Sequence, residues 1–488
     1  MAQTFFFYDL ETSGVNPRTA RIMQFAGQRT SMELQPIGDP FNILIKLTPD
    51  VVPDPDAIMV TGITPQQTLQ SGVTEAEFLK RFFAEIALPD TIFVGYNTVR
   101  FDDEFMRYMM YRNFYDPYEW QWKDGRSRWD LLDVVRMTRA LRPEGIKWPV
   151  DAKGASTNRL ELLTAMNGLD HFDAHDALSD VQATIALAQL LRSKQPKVFD
   201  YLLAMRDKKK VQALVMSGEL FVYSSGRYAS EYEKTTVAQF VALHPTKLYA
   251  YVYDLRHDPA QYKNYTAEQL AEAWRWKRDS SEPRLPVKAL KFNCCPAVAP
   301  LSVLDEASEK RLGIDRSKVR AHAQTLAAMS GWADKLLKAV EILEQAQQAS
   351  FLSDEATVDG QLYDSLLNDH DRRLEHAFRA AVPDDMLSFV DRFQDPRLKA
   401  LVPLYKARNY PESLSIDERT AWEKHVTKSL LHGGTSSKLA KYFQRLEELA
   451  NNPGLTQEQR YILEELQLYG QSIMPAPDEY EFLAQSAK

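Results

Sequence analysis

Asp9-Leu10-Glu11 ends an apolar run that starts at Phe5. Side chains two apart on a strand project from one face, so the two carboxylates point together and repel unless a cation lies between them. Alone, such a pair marks a strand end as readily as a site. Two more segments add acids. Asp102-Asp103-Glu104 has the form of a helix N-terminal cluster, where acids ordinarily serve as caps and dipole partners. His175-Asp176-Ala177-Leu178-Ser179-Asp180 opens another helix, with Asp176 as a candidate N-cap. Five helical residues turn through about 140°, so His175 reaches over Asp180 only from the approach loop.

Together, Asp9, Glu11, Asp102 and Asp180 bring four carboxylates from three segments, with His175 beside the fourth. Hard oxygen ligands suit Mg²⁺, with Mn²⁺ as a substitute. Two such ions about 3.5 to 4 Å apart clamp the attacking and leaving oxygens of an in-line displacement at phosphorus. His175, titrating near neutrality, is the natural general base.

The elements that must position these groups alternate. Phe5 to Leu10, Arg21 to Arg29, Phe41 to Leu47 and Thr91 to Tyr96 read as strands. Helices are expected near Asp102 to Asn113, Asp130 to Leu141, Arg159 to Asn167 and Asp176 to Arg192, and Thr74 to Glu77 has the form of a capping box. This order predicts an α/β fold with a mixed sheet covered by helices. Beyond Pro196 the texture changes: Tyr249 to Tyr253 and Val287 to Phe292 suggest a β-rich unit, and the chain after Ser302 turns helical.

A chain of 488 residues predicts two to four domains. Lys+Arg 59 against Asp+Glu 67 leaves a net charge of -8, which excludes a protein that coats nucleic acid through its overall charge. Adjacent Cys294 and Cys295 cannot staple a secreted scaffold. No signal-like N-terminus stands out, and no apolar run nears the roughly 18 residues of a membrane span, so a cytoplasmic protein with no membrane partner is expected.

The three acidic motifs resemble those of the DEDD superfamily of 3′-to-5′ exonucleases. A His stands five residues before the last Asp, as in the histidine branch, while the tyrosine branch has its Tyr where this chain has Asp176. Within that branch the chain is similar to the bacterial exonuclease I family through Val60 to Pro65, Gly95 to Glu104, Tyr111 to Tyr118, Arg128 to Asp133, Leu141 to Ile146, Val358 to Tyr363 and Tyr405 to Pro411. The stretch from Phe221 to Ser281 matches loosely. The resemblance implies a ribonuclease H-like exonuclease domain (1–195), an SH3-like β-barrel domain (196–348) and a helical C-terminal domain (349–488). It also implies a monomer that closes over single-stranded DNA and degrades it processively to 5′-mononucleotides, in DNA repair and recombination.

Phe101 to Trp129 holds ten aromatic side chains where the chain average of 11% gives about three, with Arg107, Arg112, Lys123, Arg126 and Arg128 interleaved. Phe101, Phe105 and Tyr108 have core spacing, whereas Tyr118, Trp120 and Trp122 fall in a loop-like stretch suited to stacking on bases. By resemblance, Arg107, Tyr118, Trp122 and Arg136 contact the strand, and Glu11 and Arg159 hold substrate near the metals. Arg142 and Tyr201, with Arg311 beside them, would bind the C-terminal tail of single-stranded DNA-binding protein. Two other readings fit part of the pattern: an RNA-trimming exonuclease, since the acids do not read the sugar, and a single-strand-binding repair scaffold without catalysis.

Overall fold

The computed structural model describes residues 2–169, 176–275, 284–351 and 357–475. Its first sheet is mixed, with strand order β3-β2-β1-β4-β5. The strands are β1 (Thr4–Thr12), β2 (Ile22–Thr30), β3 (Phe41–Leu44), β4 (Thr91–Gly95) and β5 (Ser127–Asp130). β1 is central, antiparallel to β2 and parallel to β4. Both of its faces are covered. Phe5 and Phe7 join one apolar cluster with Trp129 and Val181, while Phe6, Tyr8 and Leu10 join another with Phe25, Phe82 and Phe93. The Phe5-Phe7 face therefore continues into Asp9 and Glu11, where the apolar pattern stops.

Three helices matter for the site: α1 (Asp102–Arg112), α2 (Leu131–Leu141) and α3 (Ala177–Lys194). Asp130 caps α2 through Leu132 N, and Asp176 caps α3 through Ser179 N. The expected strand to Leu47 ends at Leu44, because beyond it the chain pairs only singly, Ile45 with Val73. Only half of the expected capping box forms: Thr74 accepts from Glu77 N. Glu77 is exposed.

The second sheet has the order β10-β6-β7-β8-β9 and is antiparallel throughout. Its strands are β6 (Phe221–Ser224), β7 (Thr235–Leu243), β8 (Tyr249–Asp254), β9 (Val287–Lys291) and β10 (Ala297–Pro300). One face packs Phe221, Val252 and Val298 on Val211 and Val215, and the other shares the Phe5-Trp129 core. The helices from Asp369 to Ser472 pack on the first unit at two places. Phe378, Phe393 and Tyr405 enclose Phe114 of the loop after α1, and Leu439, Tyr442 and Leu466 cover Met23 and Ile58. Among the described residues no helix is long and apolar enough to cross a membrane.

Candidate active site

β1 delivers Asp9 and Glu11, and the first turn of α3 delivers Asp180; one carboxylate oxygen of each lies within 4.8 Å of the others. The start of α3 is tied to the sheet. Gln24, opposite Glu11 on β2, donates through Nε2 to Asp176 Oδ1 at 3.1 Å and accepts from Ala177 N at 3.3 Å. Asp102, 4% exposed, stands at the start of α1 just after the β4 turn. Its neighbour Asp103 is occupied otherwise, accepting from the Tyr8 phenol at 2.5 Å and from the Arg128 guanidinium. His175 lies outside the described residues.

The acids repel one another. Burial, then Asp102, Asp180 and Asp176, hold the Asp9 carboxyl well above its usual range. Burial, then Asp9 and Asp180, push Glu11 up to about 9, and burial with Asp103, Asp130 and Glu11 raises Asp102. The site is built for negative charge without the positive charge that would stabilise it. Three convergent carboxylates with raised proton affinity fit a hard divalent cation, which would replace the protons.

Beside the acids a cleft of about 890 Å³ is walled by all three units: Arg107, Tyr118 and Trp122 from the first, Arg227 and Lys291 from the second, and Tyr363 from the third. Three family models match the chain in this same order: Exonuclease over residues 6–188, Exonuclease I SH3-like domain over 206–341 and Exonuclease I C-terminal domain over 356–473. Exodeoxyribonuclease I of Haemophilus influenzae is 36% identical over 474 residues, covering 96% of this chain and 98% of that one. The chain belongs to the exonuclease I family. Among solved structures, a moderately thermophilic exonuclease I from Methylocaldum szegediense superposes with a TM-score of 0.90 at 39% identity, covering 97% of this chain and 100% of that one. Escherichia coli exonuclease I in complex with a dA16 oligonucleotide gives 0.89 at 35% over the same shares, as does an ExoI/SSB-Ct complex. The ribonuclease H-like, SH3-like and C-terminal domains expected from sequence are thus the exonuclease I architecture.

In this exonuclease I chain the aromatic run divides in two. Tyr118 is 37% exposed and Trp122 62%, both in the cleft, but Trp120 is fully buried against Tyr8, Phe82 and Phe93. The stacking role expected for Trp120 is therefore wrong. A short 3₁₀ turn, Glu119–Gln121, points it inward between two outward-facing rings. The interleaved cations divide likewise. Arg107 stands over the Tyr118 ring, 5.4 Å from its centroid, held by Glu104 and by Gln121 Oε1 at 2.9 Å. Arg112 is buried on Glu75, Arg126 donates to the Ala87 carbonyl at 2.8 Å, and Arg128 holds Asp103. Those three are structural.

Arg136 donates to Asp133 Oδ1 at 2.6 Å, and Arg100 to Oδ2 at 3.0 Å, so one buried carboxylate aims two guanidinium groups. Arg136 presses on Gly226 of the middle unit, where an added Cβ would lie 2.9 Å from Nη2. Arg159 precedes the helix Leu160–Met166, paired with Glu161 and two-thirds exposed. Arg142 donates to the Val303 carbonyl at 2.9 Å and pairs with Asp305 at 3.2 Å, while Arg311 donates to the Ala140 carbonyl at 2.6 Å. These two arginines thus converge on the C-terminal end of α2. Tyr201 donates to the Val298 carbonyl at 3.2 Å.

Sequence reasoning missed the middle-unit wall. Arg284 and Arg227 hold the Lys288 ammonium below its usual range after burial, and Arg227 does the same to Arg284. This is uncompensated positive charge in a chain of net charge -8. Its residues are scattered from Arg206 to Lys291, so no contiguous basic run announced them.

Proposed function

We propose that the chain is a Mg²⁺-dependent exodeoxyribonuclease that removes 5′-mononucleotides processively from the 3′ end of single-stranded DNA, in the cytoplasm, in DNA repair and recombination. The observation that carries this is the convergence of Asp9, Glu11 and Asp180 within 4.8 Å beside a cationic, aromatic-lined cleft. The Escherichia coli complex with dA16 supports the substrate class. The division into units 1–195, 196–348 and 349–488 is supported by the three family models, which fall one inside each.

Asp9, Glu11 and Asp180 would hold the metal, with Asp102 completing the set. Two divalent ions bound there would neutralise charge building on the attacking and leaving oxygens. His175 would take the proton from the attacking water. Arg107, Arg136 and Arg159 would bind phosphates, Tyr118 and Trp122 would stack on bases, and Glu11 would also touch the terminal nucleotide. α1 links the two halves of this work, because Asp102 at its start and Arg107 one turn later belong to acids and cleft respectively. The ExoI/SSB-Ct complex supports a second contact, in which Arg142, Tyr201 and Arg311 receive the acidic C-terminal tail of single-stranded DNA-binding protein.

The test is release of label from 3′-labelled single-stranded DNA, with Mg²⁺ and with EDTA, against a matched RNA. Release that needs the metal, prefers DNA and vanishes in Asp180→Asn is expected. Release in EDTA, or preference for RNA, contradicts the reading.

A further inference from the structure

Tyr363, just after the short turn Val358–Gly360 of the C-terminal unit, reaches across to the first unit. Its phenol donates to Glu104 Oε2 at 2.6 Å, and its ring meets Tyr108 edge-on with centroids 5.8 Å apart. The other Glu104 oxygen accepts from Arg107. One carboxylate on α1 thus joins Tyr363 to the guanidinium that stands over Tyr118. Leu362 anchors the segment, 8% exposed in the cluster that holds Tyr111 and Phe378.

A ring tied at its hydroxyl and packed by one edge would ordinarily be buried. Tyr363 is 48% exposed and lines the same cleft as Tyr118 and Trp122. Half-exposed aromatics with arginine between them are the arrangement that stacks single-stranded bases without reading their sequence. Glu104, as an anion in a phosphate-binding cleft, would repel the strand if left bare. The Tyr363 hydroxyl and Arg107 together cover it. Burial and Glu104 raise the phenol above its usual range, so the donor persists at working pH.

We propose that Tyr363 is a strand-contacting residue, a base platform supplied by the C-terminal unit, and that through Glu104 it also positions Arg107. The inference rests on the exonuclease reading and deepens it. A clamp whose third wall carries a stacking ring holds the strand from the side opposite Trp122's own segment, rather than merely fencing it in.

The experiment compares wild type, Tyr363→Phe and Tyr363→Ala in the full chain. Binding of oligo-dT in EDTA is read with KM and kcat for Mg²⁺-dependent hydrolysis of long single-stranded DNA. Stacking at about 1 to 3 kcal/mol predicts affinity lower by about 5- to 150-fold in Tyr363→Ala, with KM rising and kcat kept. Tyr363→Phe, which keeps the ring and loses the hydroxyl, should fall between the two. Binding in both variants equal to wild type overturns the proposal, as does equal loss in both, which would make the hydroxyl the whole effect. If Tyr363→Ala melts early, Tyr363→Phe and Tyr363→Trp carry the comparison: Trp binding at least as well as Phe supports a platform, and Trp abolishing binding overturns it. Wild type that neither binds nor degrades single-stranded DNA would instead sink the exonuclease reading itself.

Discussion

Asp359 of the C-terminal unit accepts a hydrogen bond from Arg21 of the first unit at 2.8 Å, with both side chains buried. Arg408 completes the knot, donating to both oxygens of Asp359 and, at 2.6 Å, to Asp50. Two chain segments more than 300 residues apart are therefore joined through one carboxylate, beside the turn that carries Tyr363.

Removing that carboxylate strands two buried guanidinium groups. Breaking a buried pair costs about 3 to 5 kcal/mol. Asp359→Ala should lower stability toward the lower end of that range, since Asp50 still serves Arg408. Urea unfolding measures it; an unchanged midpoint would mean that the knot does not hold the units together.

The same carboxyl gives a pH signature. Arg408 and Arg21 hold Asp359 far below the usual carboxylate range despite burial. A depressed folded pKa contributes stability that is fully present above the unfolded value, about 3.9, and is lost as pH falls below it. The melting-temperature gap between wild type and Asp359→Asn should shrink on acidification below about pH 4. A gap that is constant down to pH 3 or so argues against the ion pair.

At the active site the sign reverses. Without metal, Glu11 is pushed up to about 9, so between its unfolded value near 4.5 and about 9 the folded state binds more protons than the unfolded one. Stability in EDTA should fall as pH rises across that window, and saturating Mg²⁺ should remove the slope. Asp180→Asn takes away one repelling charge. It should raise the melting temperature in EDTA while lowering activity by about 10³-fold, several kcal/mol of transition-state charge stabilisation. Scanning calorimetry with and without Mg²⁺ checks the first part.

Trp120 and Trp122 should part company. Trp120→Ala empties a fully buried ring site and should cost about 3 to 5 kcal/mol of stability. Trp122→Ala, 62% exposed in the cleft, should leave the fold intact and weaken single-strand binding by about 1 to 3 kcal/mol. Paired melting and oligonucleotide titrations separate the two effects.

Much of this was legible in the sequence because it is local. Asp9 and Glu11 two apart on a strand, Asp176 as a cap, and Phe105 and Tyr108 at helical spacing need only periodicity. Burial within a 3₁₀ turn is set by what lies beneath it, so composition placed Trp120 in the cleft when tertiary packing took it inside. Asp103 and Arg128, 25 residues apart, were read as separate signals, and only the fold shows that each satisfies the other. Tyr363 and the middle-unit cations reach the cleft by tertiary contact, which no spacing records.

The central claim, that Asp9, Glu11 and Asp180 hold divalent ions at the 3′ end of the strand, is tested most directly by one crystal structure. The protein would be bound to a single-stranded oligonucleotide with a nonhydrolysable 3′-terminal linkage and soaked with Mn²⁺. Anomalous peaks among these three carboxylates and touching the terminal phosphate are predicted. Ions bound elsewhere, or a 3′ end remote from these carboxylates, would contradict the account.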